Sequence, residues 1–250
     1  MNVYFWIEAT PITTAWIYHD EVNGLISLSS DGNTWITIAD KNLWATTVYN
    51  SWDTTSETNC WTFFQRWNNY GFPFTWATTT TTTKVNAWTY WPWNYYSGST
   101  FIKVSNWNWD SSNNNNLRWD TTDTLVARQW PCVSGFHVPT QAECISLVNA
   151  WVSMWAWTSS GANDCVTLLK IWYWWYLGSN TGTKTELWNH AVFWTSSYST
   201  TWQSYGFRII SWSAIQTNLS WARAFWYQIR PFANTPVQPD DSWTVLYQPS

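Results

Sequence analysis

Alternating apolar and polar side chains mark a β-hairpin near the start of the chain. In the sequence GLISLSSDGNTWITIAD, residues 24–40, Leu and Ile alternate with Ser before Asp31, and a second alternating run begins at Trp35. A period of two is typical of a strand with one buried face, and Asp-Gly is a preferred dipeptide of hairpin turns. The pattern predicts two antiparallel strands joined by a turn at 31–32.

A helix is predicted in the sequence VPTQAECISLVNAW, residues 138–151. Thr140 is a suitable N-cap residue, and Glu143 three positions later completes a capping box. Ile145, Leu147 and Val148 then supply the apolar face of the predicted helix.

The second half of the chain predicts a further short helix and a closing sheet. The sequence SSGANDCVTLLKI, residues 159–171, has helix-capping residues at Ser160 and Asn163. Alternating patterns after it predict three strands, at 191–197, 204–211 and 223–232. Between the two halves, residues 75–130 contain a run of Thr and a run of Asn, which indicate a long polar excursion with surface loops.

Tryptophan and glycine are present in unusual amounts. The chain of 250 residues has 28 Trp and 9 Gly, whereas glycine alone normally makes up about 7% of a protein. Many of the tryptophans occupy turn-like sequences where a residue that tolerates positive φ is expected. They are Trp44, Trp67, Trp91, Trp93, Trp119 and Trp130. Trp35 and Trp194 instead lie in strand patterns.

Two hypotheses account for the tryptophan excess. Some bacterial lineages decode UGA as glycine, so a gene from such a lineage translated with UGA as Trp would show this exchange, and we favour this hypothesis. The alternative is an aromatic surface that stacks on the apolar faces of sugars. The first hypothesis predicts UGA at the turn positions and UGG at Trp35 and Trp194.

With glycines restored at these turns, the chain resembles the Fibrobacter succinogenes major paralogous domain family. The strongest element of the resemblance is PCVSGFHVPTQAECISLVNAW, residues 131–151, supported by DGNTWITIADKNLW, FWTSSYSTTWQSYGFRI and FWYQIRPF. Cys144 stands where the family usually has Trp, and the closing strand has Arg230-Pro231-Phe232 in place of Arg-Cys. The positions that carry the structural motif are Trp35, His137, Pro139, Thr140, Glu143, Trp194 and Arg230.

The resemblance implies an α+β, C-type-lectin-like fold with an antiparallel sheet, two short helices and long polar loops. It implies a domain at 24–233, preceded at 1–23 by the remnant of another segment and followed at 234–250 by a linker. It also implies a secreted or cell-surface protein, although no signal is visible in the chain. No general catalytic activity follows from the resemblance.

Charge and hydropathy exclude several partners. The net charge is −4 and no basic run is present, so the chain lacks the electrostatic footprint of a nucleic-acid-binding protein. No segment approaches the ~18 consecutive apolar residues of a membrane-spanning helix. The oligomeric state is not determined by the sequence.

Few residues are candidates for metal or catalytic chemistry. His19, His137 and His190 share no metal-ligand spacing, and His137 is interpreted as a structural residue that orders the loop before the helix. We predict no catalytic residues and no cofactor. A weak candidate calcium loop contains Asp110, Asp120 and Asp123 among Asn side chains, and a solvated loop is the favoured interpretation. The Gln-Pro-Asp sequence at 238–240 matches a lectin motif, which we attribute to chance.

Four cysteines form an even set without a zinc-binding pattern: Cys60, Cys132, Cys144 and Cys165. Two disulfides would fit an oxidising compartment, with three possible connectivities. If the two predicted helices are neighbours, Cys144 pairs with Cys165 and leaves Cys60 with Cys132. Four buried free thiols are the alternative.

The sequence therefore favours a non-enzymatic extracellular module that recognises a glycan or a surface protein, for example in adhesion. An accessory module of a carbohydrate-active enzyme and a structural spacer in a repetitive surface protein are the alternatives. The enzyme hypothesis needs a pair of carboxylates across a cleft, and the sparse acidic residues offer no evident pair.

Overall fold

The computed structural model describes residues 16–49, 62–66, 68–72, 79–87, 96–105, 108–112, 131–152, 167–171, 174–177, 184–200, 203–210 and 215–247. One helix, α1 (Gln141–Val152), lies in this part of the chain. The strands in chain order are β1 (Trp16–Asp20), β2 (Leu25–Ser29), β3 (Trp35–Ala39), β4 (Phe64–Gln65), β5 (Thr80–Thr81), β6 (Phe101–Ile102), β7 (Phe136–His137), β8 (Trp174–Leu177), β9 (Lys184–Thr200), β10 (Gln203–Ile210), β11 (Ile215–Ala222), β12 (Trp226–Tyr227), β13 (Phe232–Ala233) and β14 (Thr244–Tyr247).

Two antiparallel sheets organise these strands. The first sheet has the order β14-β1-β2-β3-β13-β7, and the second has the order β11-β10-β9-β8-β12-β4. The short strands β5 and β6 form a separate parallel pair. In the first sheet, strands from the two ends of the described chain are neighbours, because β14 pairs with β1.

Strand β9 contributes to two hydrophobic cores because its side chains alternate between the two faces of the second sheet. Ala191 and Phe193 join the first core, which also contains side chains from the first sheet and from α1. Val192 and Trp194 join the second core, which also contains Phe64 of β4, Ile102 of β6 and Trp109. Both faces of the second sheet are therefore buried along this part of β9.

Helix α1 begins at the position that the sequence predicts. The Thr140 hydroxyl accepts a hydrogen bond from the Glu143 backbone N–H at 3.1 Å, and a Glu143 carboxylate oxygen accepts the Thr140 backbone N–H at 2.7 Å. These are the reciprocal bonds of a capping box. The buried face of α1 includes Leu147 and Val148, but the expectation for Ile145 is wrong, since 38% of this side chain is exposed.

The expected α+β, C-type-lectin-like fold with two short helices is wrong. Among the described residues, antiparallel β-sheet predominates, with 44% in strands and 9% in helix. The main reason is that β9, with 17 residues, extends well beyond the predicted strand at 191–197, and that β8 forms where no strand was predicted. Residues 159–166 of the second predicted helix lie outside the described residues. Of its described residues, 167–171, only 167–168 have helical geometry.

Trp44 and Trp194 occupy different structural environments. Trp194 is fully buried, and its indole N–H donates a hydrogen bond to the carbonyl oxygen of Phe64 at 2.8 Å. Trp44 has a φ of 65° and is 47% exposed. Positive φ is unfavourable for a bulky side chain and natural for glycine. The other turn tryptophans named above lie outside the described residues.

Candidate functional site: an aromatic groove on the first sheet

Strand pairing places three aromatic side chains on one face of the first sheet. Trp16 of β1 pairs with Ser29 of β2, and Ser29 pairs in turn with Trp35 of β3. Tyr18 lies two residues after Trp16 and therefore points to the same face. The serine on the central strand is fully buried, and its hydroxyl accepts a hydrogen bond from the backbone N–H of Gly32 at 2.9 Å.

The aromatic groove is the cavity of about 300 Å³ on this face. It is lined by Trp16, Tyr18, Gly32, Trp35, Gln238, Pro239, Asp240 and Asp241. Its rings are half-buried and its acidic residues are exposed, so both kinds of group are accessible to a ligand.

Hydrogen bonds fix the C-terminal segment beside the rings. The hydroxyl of Ser27 donates to the carbonyl oxygen of Val237 at 2.8 Å, and the backbone N–H of Val237 donates to the Thr37 hydroxyl at 2.8 Å. The strand β14, which follows this segment, pairs with β1. The segment is thus held on both sides, and it positions Asp240 and Asp241 along the groove.

The rings themselves are packed against the sheet and its turn. The ring centroids of Tyr18 and Trp35 are 5.8 Å apart with an interplanar angle of 63°, an edge-to-face arrangement. The Trp16 ring lies beside Gly32, where an added Cβ atom would be 3.3 Å from it. Gly32 also has a φ of 74°, so both conformation and space favour glycine there. The groove is therefore largely preformed.

The groove is acidic. The hydroxyl and backbone N–H of Ser242 donate to Asp240 and hold the pKa of its carboxyl below the ordinary value. In the adjoining turn, the backbone N–H groups of Thr34 and Asn33 lower the pKa of Asp31 to about 2. Neither Lys nor Arg is among the groove residues. At neutral pH the site therefore offers carboxylate acceptors beside aromatic faces.

This combination suits a ligand with an apolar ring face and hydroxyl groups at its edge. Trp and Tyr rings provide large, rigid contact area, and a few polar groups fix the orientation of the ligand. Carboxylates accept hydrogen bonds from hydroxyl groups, and an amide such as that of Gln238 both donates and accepts. A sugar ring has this chemistry.

The sequence had indicated only part of this site. Trp35, which the sequence places in a strand, is half-buried and lines the groove. Gln238 and Asp240, whose lectin-like spacing we attributed to chance, line the groove. Trp16 and Tyr18 were not predicted, and their alternation with the buried Ile17 is the signal that marks them.

His137 lies away from the groove and orders the start of α1. One ring nitrogen, Nε2, is 3.0 Å from a Glu143 carboxylate oxygen, and Nδ1 is 2.9 Å from the side-chain oxygen of Asn234. The carbonyl oxygen of Pro139 accepts the backbone N–H of Ser196 at 2.6 Å, which ties the same loop to β9. These hydrogen bonds connect the start of α1 to both sheets.

Arg230 is a buried structural residue. Its guanidinium group donates to the carbonyl oxygens of Ala39 at 2.9 Å and of Lys170 at 2.8 Å. It therefore links the end of β3 to the chain that precedes β8.

The carboxylate oxygens of Asp110, from the candidate calcium loop, accept hydrogen bonds from other groups of the chain. One carboxylate oxygen accepts the backbone N–H groups of Ala87 and Ser112, and the other accepts the Ser112 hydroxyl. Asp120 and Asp123 lie outside the described residues. Within the described part of the chain, no group of three or more His, Cys, Asp or Glu side chains is arranged to hold a metal ion.

Cys132 and Cys144 are buried as free thiols, and burial raises the pKa of both. Cys60 and Cys165, the partners expected for them, lie outside the described residues, so the disulfide pairing stays a prediction.

The described helix is too short to cross a membrane.

No family model, no curated protein and no solved structure matches the chain. The aromatic groove is therefore interpreted from its own geometry.

Proposed function

We propose that the chain is a non-enzymatic recognition module that acts outside the cell or at its surface and binds glycans through the aromatic groove. The observation that carries this proposal is the cavity lined by Trp16, Tyr18 and Trp35, with the exposed carboxylates of Asp240 and Asp241 along it. The apolar face of a sugar ring packs on the indoles, while its hydroxyl groups donate to Asp240 and Asp241.

The open form of the groove supports binding rather than turnover. Asp240 and Asp241 are consecutive residues of one segment, whereas glycoside hydrolysis needs two carboxyl groups on opposite sides of the scissile bond. The low charge and the abundance of Thr, Ser and Asn support an extracellular location. A module of this kind serves adhesion to a surface polysaccharide.

A glycan array tests the proposal directly. We expect the chain to bind a subset of the glycans, and we expect Trp16→Ala or Trp35→Ala to weaken that binding by about tenfold or more, which corresponds to about 1.4 kcal/mol. Trp44→Gly is the matched control, because Trp44 is also a partly exposed tryptophan and lies outside the groove.

Asp241→Asn separates the contribution of the carboxylates to glycan binding from that of the aromatic rings. This variant keeps the rings and removes one carboxylate acceptor, so it should change the preference among glycans more than the total binding. Circular dichroism should show that each variant remains folded. Binding that is equal in the groove variants and in the Trp44→Gly control would place the ligand elsewhere, and binding to no glycan would refute the proposal.

A further inference from the structure

Asp240 offers one uncommitted carboxylate oxygen to the aromatic groove. Its Oδ1 accepts the hydroxyl of Ser242 at 2.5 Å and the backbone N–H of Ser242 at 2.9 Å. Its Oδ2 accepts no hydrogen bond from the described part of the chain. Because Asp240 is exposed and lines the groove, Oδ2 is accessible to a ligand there.

Asp241 offers both of its carboxylate oxygens. It also lines the groove and is exposed, and it makes no hydrogen bond or ion pair with the described residues. With one oxygen from Asp240 and two from Asp241, the groove has three carboxylate oxygens that lack donors. A carboxylate oxygen only accepts hydrogen bonds, so these oxygens suit a ligand that carries several donors close together.

The charge around these oxygens is negative. The groove residues include two carboxylates and neither Lys nor Arg, so their formal charge is −2. Asp20 lies close enough to Asp240 for the two negative charges to repel each other. A neutral sugar leaves this charge unbalanced and an acidic sugar is repelled by it, whereas a cationic sugar is attracted.

The aromatic rings also favour a cation. Trp16, Tyr18 and Trp35 are half-buried and line the same cavity as the carboxylates. The faces of indole and phenol rings have a negative electrostatic potential, so they attract a cation that lies within about 6 Å of the ring centre. The same faces pack against the apolar side of a sugar ring.

A primary ammonium group on a sugar ring meets each of these requirements. It carries three N–H donors and one positive charge. Its hydrogen bonds to carboxylates are charge-assisted and are about twice as strong as those between neutral groups. A single exposed ion pair contributes little to binding, so the selectivity depends on the two carboxylates and the rings acting together.

We propose that the aromatic groove selects amino sugars whose nitrogen is not acetylated. The sugar ring packs against the aromatic side chains, and its ammonium group donates hydrogen bonds to Asp240 and Asp241. This inference rests on the proposed glycan-binding function and names the class of glycan that the groove takes.

Three tetrasaccharides with the same β-1,4-linked backbone test this selectivity: tetraglucosamine, tetra-N-acetylglucosamine and cellotetraose. They differ at carbon 2, which carries an ammonium, an acetamido or a hydroxyl group. The measurement is calorimetric titration at mildly acidic pH, which keeps the amino groups protonated. We expect tetraglucosamine to bind about tenfold more tightly than the other two. Added salt should reduce this preference, because it screens exposed charges.

Replacing the carboxylates separates charge from ring contacts. The double variant Asp240→Asn, Asp241→Asn should lose the preference for tetraglucosamine and should keep its affinity for cellotetraose within about twofold. Asp241→Asn alone should reduce the preference by about threefold, and it serves if the change at Asp240 disturbs the turn at Ser242. Glu21→Gln is the matched control, because Glu21 is an exposed carboxylate outside the groove, and this variant should keep the full preference.

The outcomes distinguish this inference from the proposed function. Equal affinity for the three tetrasaccharides would overturn the selectivity and leave glycan binding intact. Binding of none of them would overturn the selectivity as well, and an empty glycan array would then refute both proposals. A preference that survives in the double variant, or tetralysine binding as tight as tetraglucosamine binding, would show that negative charge attracts any polycation, and it would also overturn the inference.

Discussion

Tyr18 and Trp35 meet edge to face across β2, with ring centroids 5.8 Å apart. Edge-to-face aromatic pairs contribute about 0.5–1.5 kcal/mol beyond the area that they bury. We predict a coupling free energy of this size for unfolding in a double-mutant cycle of Tyr18→Ala and Trp35→Ala, measured by denaturant unfolding. The pair therefore stabilises the groove wall as well as lining it.

The control for this cycle combines Tyr18→Ala with Val104→Ala. Val104 belongs to the second core, so its effect should add to that of Tyr18 within about 0.5 kcal/mol. A Tyr18–Trp35 cycle that is equally additive would show that the rings do not stabilise each other.

Asp31 makes the stability of the hairpin depend on pH. Hydrogen bonds from Thr34 and Asn33 lower its pKa from 3.8 to about 2 in the folded protein. Its ionised form is thus favoured by folding, and its stabilising effect is complete above about pH 5 and is lost as the pH falls towards 2.

The measurement compares the free energy of unfolding of the unmodified chain and of Asp31→Asn across that range. The difference between them should be constant above about pH 5 and should shrink steadily below pH 4. Asp241→Asn, which changes a nearby exposed carboxylate, controls for the general effect of charge. A difference that stays the same from pH 6 to pH 2 would rule out this role for Asp31.

The local elements were predictable because their signals lie within a few residues of one another. The alternating runs around Asp31 give β2 and β3, and the Thr140–Glu143 spacing gives the start of α1. The predicted strand at 223–232 fails, since β12 and β13 are two short strands separated by irregular chain. Alternation alone does not show where a strand changes its partner.

The aromatic groove was not predictable because it depends on pairing between distant parts of the chain. Trp16 lies in a segment that we expected to be a remnant, and Asp241 lies in one that we expected to be a linker. The pairing of β14 with β1 brings them together, and no local pattern encodes that pairing.

Cys132 and Cys144 should be unreactive in the folded protein. The thiolate is the nucleophilic form, and burial raises the pKa of both thiols. We predict little reaction with Ellman's reagent under native conditions and titration of at least these two thiols after unfolding without reductant. Cys144→Ser should lose one of them. If no thiol titrates after unfolding, both cysteines are in disulfides, as the helix-pairing prediction requires, and their description as free thiols is wrong.

Trp44 and Trp194 should respond in opposite directions to replacement by glycine. A non-glycine residue in the left-handed region costs about 1–2 kcal/mol, so Trp44→Gly should raise the free energy of unfolding by about 1 kcal/mol. The gain is reduced by the loss of the ring contact with Phe64, at 5.3 Å between centroids. Trp194→Gly should lower the free energy of unfolding by more than about 3 kcal/mol, because it empties a core position and leaves the Phe64 carbonyl without its donor.

The difference between Trp44 and Trp194 should also be visible in their codons. If Trp44 occupies a glycine position because of the genetic code, its codon is UGA, whereas Trp35 and Trp194 are encoded by UGG. Protein isolated from the natural host would then have a lower mass than the printed sequence requires, and peptide mass spectrometry would find glycine at 44 and tryptophan at 194. A UGG codon at 44 together with a destabilised Trp44→Gly variant would instead show that the indole is native. In that case the tryptophan excess would favour a wider aromatic surface for sugar binding.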